Sequence, residues 1–272
     1  MASVAELLVP HAGTRQIKIP KSVTSLLLAL VLPFALLLLW WLTSVQGWLP
    51  EQILPAPRYV YETASNLIGD GELLYHTGVS LRRVVIGFTI GASLGLSLGV
   101  LMGLSPRAED YIKPLFLALA QIPTLGWIPL LMLLVGIEET LKIIIIAKGA
   151  FVPVTLNTFS GIRNVSVKYR EIGRSFRFSP WQQLRLIVLP AAAPTIFTGI
   201  RYGLTNAWTS LVGVELLASS EGLGYLLVWG RQMFWLDTVI VAMVVIGLVG
   251  FIMDRGLRRT ENLLQRWKQE EA

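Results

Sequence analysis

The sequence contains no cysteine. Disulfides, thiolate metal sites and cysteine nucleophiles are therefore excluded, and the redox compartment is left open. Charge is also scarce, at 15% of residues, where a soluble domain carries about 25%. Histidine occurs only as His11 and His76, with no metal or triad spacing around either, so an enzyme would lack its polar constellation. No G-x-x-x-x-G-K-[ST] phosphate loop occurs in the 272 residues. The chain is thus not expected to hydrolyse ATP by that chemistry, and energy for any work must come from a partner or a gradient.

What the chain has in quantity is apolar residues, 54% of the total, and this composition is that of a membrane protein. A net charge of +6 would suit nucleic acid in a soluble protein. In a membrane protein the basic residues collect on the cytoplasmic side, so no nucleic-acid partner is expected. Spans of about 20 mainly apolar residues can be cut at six places. They are Ser22–Val45, Leu81–Leu104, Pro114–Ile137, Leu141–Gly161, Ala191–Ala218 and Leu236–Met253, the third interrupted by Pro123 and Pro129. Arg15, Lys18 and Lys21 precede the first span in the manner of a signal peptide. Its apolar run exceeds a signal core and no A-x-A site follows, so it reads as an anchor helix.

Basic residues orient the spans. With the N-terminus inside, the inner segments hold most of the 23 Lys and Arg, including Arg107, Lys113, Arg163, Lys168, Arg174, Arg185, Arg255 and Arg258. The outer loop after the first span instead sets Arg58 against Glu51, Glu62, Asp70 and Glu72. The expected organisation is a cytoplasmic tail (1–21), an anchor helix (22–45), an outer loop (46–80), a core (81–256) containing a cytoplasmic loop (162–190), and a cytoplasmic tail (257–272). Both termini are expected in the cytoplasm.

Within the second span Gly87, Gly91, Gly95, Gly99 and Gly103 recur every four residues. Small residues at this spacing open a slanted groove for a neighbouring backbone, either inside one subunit or between two. The cytoplasmic stretch EIGRSFRFSPWQQLRLIVLP, residues 171–190, stands out for charge and aromatics. Ser179 and Pro180 form a helix start, so the stretch predicts a helix, a break near Phe178 and a second short helix interrupted by Pro190. Trp181, Leu184 and Val188 share one face. That face suits lipid headgroups or a cytoplasmic partner.

This loop resembles the signature of permease subunits of binding-protein-dependent ABC importers: E-A-A, three residues, G, nine residues, I-x-L-P. Glu171, Ile172 and Gly173, then Ile187, Leu189 and Pro190, stand at the matching intervals. The stretches ILPAPRYV, GELLYHTGVSLRRVVIGF, LVGIEETLKI, GAFVPVTLNTFSGIRNV, TGIRYGL and SSEGLGYLL are similar to the sulfonate, taurine and nitrate branch, and most of all to its aliphatic-sulfonate permeases.

The resemblance implies an all-α integral membrane protein with the type I ABC importer permease fold, about six transmembrane helices and a coupling-helix loop, in a bacterial inner membrane. It implies a second copy of the chain, a cytoplasmic ATPase dimer that carries ATP and Mg, and an extracytoplasmic binding protein; this chain itself would bind no cofactor. Glu171, Gly173, Arg174, Arg177, Phe178, Trp181, Leu189 and Pro190 would form the ATPase-coupling surface. Arg177 stands where the family pattern has glycine, so the local bend is expected to differ or the arginine to contact the ATPase. Implied cargo is a small anion, an aliphatic sulfonate first, with taurine, nitrate, bicarbonate or an aromatic acid as alternatives. A secondary transporter is the competing class, although internal repeats and abundant intramembrane charge are wanting.

Polar residues within the spans are the pathway candidates: Gln121, Thr124 and Trp127 on the proline-broken span, Asn157 on the fourth, and Asn206, Trp208, Thr209 and Ser210 on the fifth. Glu215 is expected near the outer surface, pairing with a basic group or shaping a gate. Lys148 is the most costly, since an ammonium near mid-membrane costs at least about 2.5 kcal/mol. Either it faces an anionic substrate, or it snorkels or pairs with a carboxylate such as Glu215.

Overall fold

The computed structural model describes residues 21–264, and the outer parts of both expected tails lie outside the described residues. The chain divides into two units, residues 1–57 and 58–272. In the first, α1 (Lys21–Val45) contains Pro33, and the Trp40 indole donates to the Pro55 carbonyl (3.1 Å).

The second unit holds ten helices among the described residues. They are α2 (Pro57–Gly69, all but its first residue), α3 (Glu72–Leu104), α4 (Pro106–Ala120), α5 (Ile128–Val135), α6 (Glu139–Arg163), α7 (Val167–Ser175), α8 (Pro180–Gln183), α9 (Leu189–Ala218), α10 (Leu223–Gln232) and α11 (Leu236–Leu264). Four of them, with α8 and α9 run together as Pro180–Ala218, are long and apolar enough to cross a membrane. A fifth crossing arises if α4 and the segment Thr124–Val135, bent by 90° between them, count as one. Of the first expected span, Val31–Val45 forms a shorter apolar helix. The six apolar stretches are therefore all helical, but fewer than six are straight spans.

Three expectations need correction. The outer loop 46–80 contains α2 and the start of α3, because Gly71 turns at φ 78° and helix resumes at Glu72 rather than Leu81. Pro129 starts α5 rather than interrupting it, since a proline in the first turn has no helical hydrogen bond to lose. Pro190 does not end the helix either. A wider π turn at Leu184–Val188 leads directly into α9, with Pro190 again in the first turn.

The core is a layered set of close crossings centred on α6. An added Cβ on Gly87 would lie 2.6 Å from Ile146, and one on Gly91 would lie 2.1 Å from the Ala147 carbonyl oxygen. Gly95, Gly99 and Gly103 meet Phe151, Thr158 and Ile162 in the same order, so α3 and α6 run parallel. On the other side of α6, Gly149 meets Ser210 and Gly199 meets Asn157, an antiparallel register with α9. The glycine groove is thus filled by the chain's own helix. Leu73, Val84, Ile146, Trp208, Leu211 and Leu223 form the largest buried cluster around it.

In the 162–190 segment, α7 closes with the amide of Phe178 donating to the Gly173 carbonyl (3.0 Å) and that of Arg177 to the Arg174 carbonyl (2.9 Å). This pair of bonds is the Schellman motif, whose C′ residue is left-handed and usually glycine. Arg177 occupies that position at φ 53°. Arg177 thus holds a left-handed turn at a cost of about 1–2 kcal/mol for a residue with a Cβ. Ser179 then caps α8 in a reciprocal box with Gln182.

Three stability outcomes follow. Gly91→Ala is expected to lower the stability of the purified chain by about 1–3 kcal/mol, because a backbone carbonyl cannot step aside. Gly247→Ala, with nothing within 4 Å, is expected to stay within about 0.5 kcal/mol. Arg177→Gly is expected to raise the unfolding temperature by relieving the left-handed strain. Thermal melting of the detergent-solubilised variants checks all three.

Candidate functional site

Three regions carry the polar chemistry of the bundle. The first lies at the end where α3 and α6 begin and α9 ends. Arg83, 3% exposed, is the hub. Its Nε and Nη2 donate to the two carboxylate oxygens of Glu139 (2.8 and 2.6 Å). Its Nη1 donates to Glu215 Oε1 (2.8 Å) and to the Glu221 carbonyl (2.7 Å). Glu215, 1% exposed, also accepts from the Gly224 amide (2.9 Å), and Ser80 Oγ lies 2.9 Å from both its oxygens. Ser80 in turn accepts from the Leu223 amide (2.9 Å), and His76 Nδ1 accepts from the Gly222 amide (3.0 Å). Lys142 donates to Glu139 (2.7 Å). Two cations and two carboxylates balance, and every carboxylate oxygen of Glu215 has a donor, which is the condition for burying an ion pair.

The second region is the break between α4 and α5. The chain leaves the helical ladder at Gln121 and takes a single turn through Thr124–Trp127. Lys148 of α6 donates its Nζ to the Ile122 carbonyl (3.1 Å) and stands 5.4 Å from the centre of the Trp127 ring. A cavity of about 330 Å³ opens beside them, walled by Phe116, Leu119, Leu131 and Phe151. The bond to Ile122 shows why irregular backbone is tolerated here, since a carbonyl freed by the break receives a charged donor.

The third region is the α7–α8 segment. Glu171, Arg174, Arg177 and Trp181 are exposed, as are Phe176 and Ile172. Gly173 is buried and allows Ile187 to close over α7. Phe178 is partly buried and stacks on Phe176 with centroids 6.0 Å apart. Leu189 is partly buried and Pro190 exposed. Of the expected apolar face, Val188 is buried and Leu184 packs beside it, whereas Trp181 stays in the open.

The pathway candidates separate accordingly. Gln121, Thr124, Trp127 and Lys148 come together at the break. Asn206 and Thr209 are exposed on α9, on the face where Gly213 receives Leu125 of the broken turn. Asn157 instead donates to its own helix at Pro153 (2.8 Å) and packs on Gly199. Trp208 is buried on the far side of α9 against Gly250 of α11, and Ser210 packs on Gly149. Glu215 pairs with Arg83 and not with Lys148, so the Lys148–Glu215 pair is corrected. Arg83, Ser80, Glu139 and Lys142 were missed as a site. The signal for them was in the quoted stretches: GELLYHTGVSLRRVVIGF, LVGIEETLKI and SSEGLGYLL supply the members of the first cluster.

The described residues thus form a helical bundle with one broken apolar segment and an exposed helix pair. Residues 91–263 match the family described as binding-protein-dependent transport system inner membrane component. The chain belongs to this family, and is the multi-pass inner-membrane permease component of an ABC importer whose ATP coupling is supplied by a partner subunit. It is 39% identical over 239 residues to a putative aliphatic sulfonates transport permease of Bacillus subtilis, covering 88% of this chain and 87% of that protein. It is 31% identical to the taurine transport system permease of Escherichia coli over 86% of this chain and 87% of that one. Among solved structures, the inward-facing MetNI methionine ABC transporter matches at TM-score 0.61 and 17% identity, over 71% of this chain and 96% of that one. That likeness concerns the fold.

Removing one partner from a buried pair leaves an uncompensated charge, typically costing about 3–5 kcal/mol. Arg83→Met is therefore expected to lower the melting temperature of the purified permease sharply. The double variant Arg83→Met with Glu215→Gln is expected to recover part of the loss. Equal melting of the single and double variants would show that the charges are not coupled.

Proposed function

We propose that this chain is the translocation subunit of an importer for aliphatic sulfonates. It works as two copies with a cytoplasmic ATPase dimer that holds ATP and Mg, and receives cargo from an extracytoplasmic binding protein. The chain itself contributes neither cofactor nor catalysis. Both termini face the cytoplasm, together with α7 and α8, and the Arg83 cluster lies at the outer end. The identity to sulfonate permeases over most of both chains is the support for the cargo. The exposed Glu171, Arg174, Arg177 and Trp181 on a short rigid helix pair are the observation that carries the coupling role.

That surface suits a protein groove better than a lipid surface. An interfacial helix presents a continuous apolar face, whereas here Glu171 and Arg174 are exposed on α7 alongside Ile172, with Phe176 exposed just past its end. Buried Gly173 holds α7 against the turn after α8, so a push on the pair passes directly into α9. Movement of an ATPase subunit would thus be delivered to the helix whose other face carries Asn206 and Thr209.

The test is reconstitution of the chain with its ATPase and binding protein in liposomes, with uptake of labelled ethanesulfonate, taurine and nitrate compared. Ethanesulfonate uptake is expected to need ATP and all three components, and Glu171→Ala or the pair Arg177→Ala with Phe178→Ala is expected to reduce it several-fold without loss of the inserted bundle. Uptake by the permease alone down an ion gradient would establish a secondary transporter instead.

A further inference from the structure

One side of α11 changes character along its length. Val244, Leu248 and Phe251 follow one another at helical spacing and are exposed, and the same line continues through Arg255 and Arg259 to Asn262. Arg255 stands about 28 Å along the helix from Leu236, close to the roughly 30 Å thickness of a bilayer's hydrocarbon core. The change from apolar to basic thus falls where acyl chains give way to headgroups. Beside this line, a cavity of about 240 Å³ lies between Leu204 and Trp208 of α9 and Ile246, Gly250 and Met253 of α11. Gly247 also borders it, and nothing stands within 4 Å of the place its Cβ would take. Asp254 belongs both to this cavity and to a second one of about 350 Å³, which Arg255, Arg258 and Arg259 line.

The charges at this junction do not cancel. Asp254 is held by Arg201 (3.2 Å) and Arg258 (3.1 Å), and Glu261 by Arg201 (3.6 Å). Arg255 and Arg259, one turn apart, make no ion pair among the described residues; the Arg255 guanidinium lies 5.7 Å from the centre of the Phe251 ring. An apolar slot that leads to two unbalanced guanidiniums at headgroup depth fits one kind of ligand. We infer that the α9–α11 groove holds an anionic phospholipid, with a segment of one acyl chain against Trp208 and Gly247 and its phosphodiester on Arg255 and Arg259. Guanidinium forks match phosphate oxygens in geometry as well as charge. A zwitterionic lipid brings a further cation to a place that already has an excess of positive charge, whereas an anionic lipid balances it. A dissolved anion would meet the guanidiniums but has nothing for the slot. The lipid stands beside the Arg201–Asp254 pair, and so bears on the contact between α11 and the helix that continues from α8.

The test places the full-length chain in phosphatidylcholine nanodiscs and titrates in phosphatidylglycerol, with one or the other lipid carrying brominated acyl chains that quench indole fluorescence. The share due to Trp208 is the difference between each protein and the same protein carrying Trp208→Phe. Phosphatidylglycerol is expected to reach Trp208 in preference to phosphatidylcholine. Arg255→Gln and Arg259→Gln are each expected to lower that preference about fivefold, and Arg255→Lys to keep most of it. Gly247→Leu, which fills the groove and keeps every charge, is expected to remove the quenching of Trp208 by either lipid. The inference is overturned if the two lipids quench Trp208 equally in the wild-type chain, or if the preference survives in the double variant Arg255→Gln with Arg259→Gln. It is also overturned if Gly247→Leu leaves the quenching as it was, which would place the lipid on the outer surface only. Since the chain has no cysteine of its own, Gly247→Cys supplies a single thiol. Rapid disulfide formation between two copies of that variant would assign the groove to a subunit contact and overturn the lipid site.

Discussion

The burial of Arg83 is the constraint on which the arrangement of helices depends. A guanidinium at 3% exposure is tolerable only when its donors are all used, and its acceptors come from three places in the chain: Glu139 at the start of α6, Glu215 near the end of α9, and the Glu221 carbonyl before α10. These groups must be brought to the ends of one planar fork. That requirement sets the rotation of α9 relative to α3 and the depth of α6 between them. It also ties α10 down, because the Gly224 amide and the Leu223 amide complete the same network. Apolar packing alone would allow these helices to slide by a turn; a fork with fixed directions does not.

The glycine crossings make the same point from the steric side. α3 approaches α6 so closely that a single methyl on Gly91 would enter the Ala147 carbonyl, and Gly149 brings α9 equally near on the other face. Without a hydrophobic drive between helices in lipid, such close contacts supply the association energy. The ionic fork fixes register at one end, and the glycine crossings carry it along the helix axes. Nearer the middle of α9, Arg201 reaches Asp254 of α11 (3.2 Å), so charge holds α9 at a second level.

This division explains what could be read before the structure was known. Apolar length was sufficient to locate the long helices, because it is a property of one segment, whereas Pro129 and Pro190 were misread as breaks. Ser179 and Pro180 announced α8 for the same reason. The start of α3 was misplaced because its first two turns, with His76 and Ser80, are polar enough to look like loop; they are polar because they serve the ionic cluster. A basic partner for Glu215 was foreseeable from the cost of its charge. Its identity was not, since Arg83 and Lys148 are distinguished only by how two helices face each other. Arg177 is a case of the opposite kind: the residue departs from the family pattern, and yet its backbone is left-handed, the conformation that glycine would ease.

The distribution of charge then separates what is held from what is free to respond. At the Arg83 end the buried cations Arg83 and Lys142 are balanced by Glu139 and Glu215. At the break between α4 and α5 the opposite holds: the helical ladder is interrupted, Lys148 is unbalanced and the Trp127 indole has no acceptor. Leu125 from that same turn seats on Gly213 of α9, and α9 is the helix that continues without interruption from α8. The incompletely satisfied part of the bundle is thus in contact with the helix that continues from α8. A displacement of α9 too small to break its ionic anchors would still alter the fit of Leu125, and with it the position of the Ile122 carbonyl that holds Lys148. The proline-broken span is where such a displacement costs least, since few backbone hydrogen bonds there have to be broken.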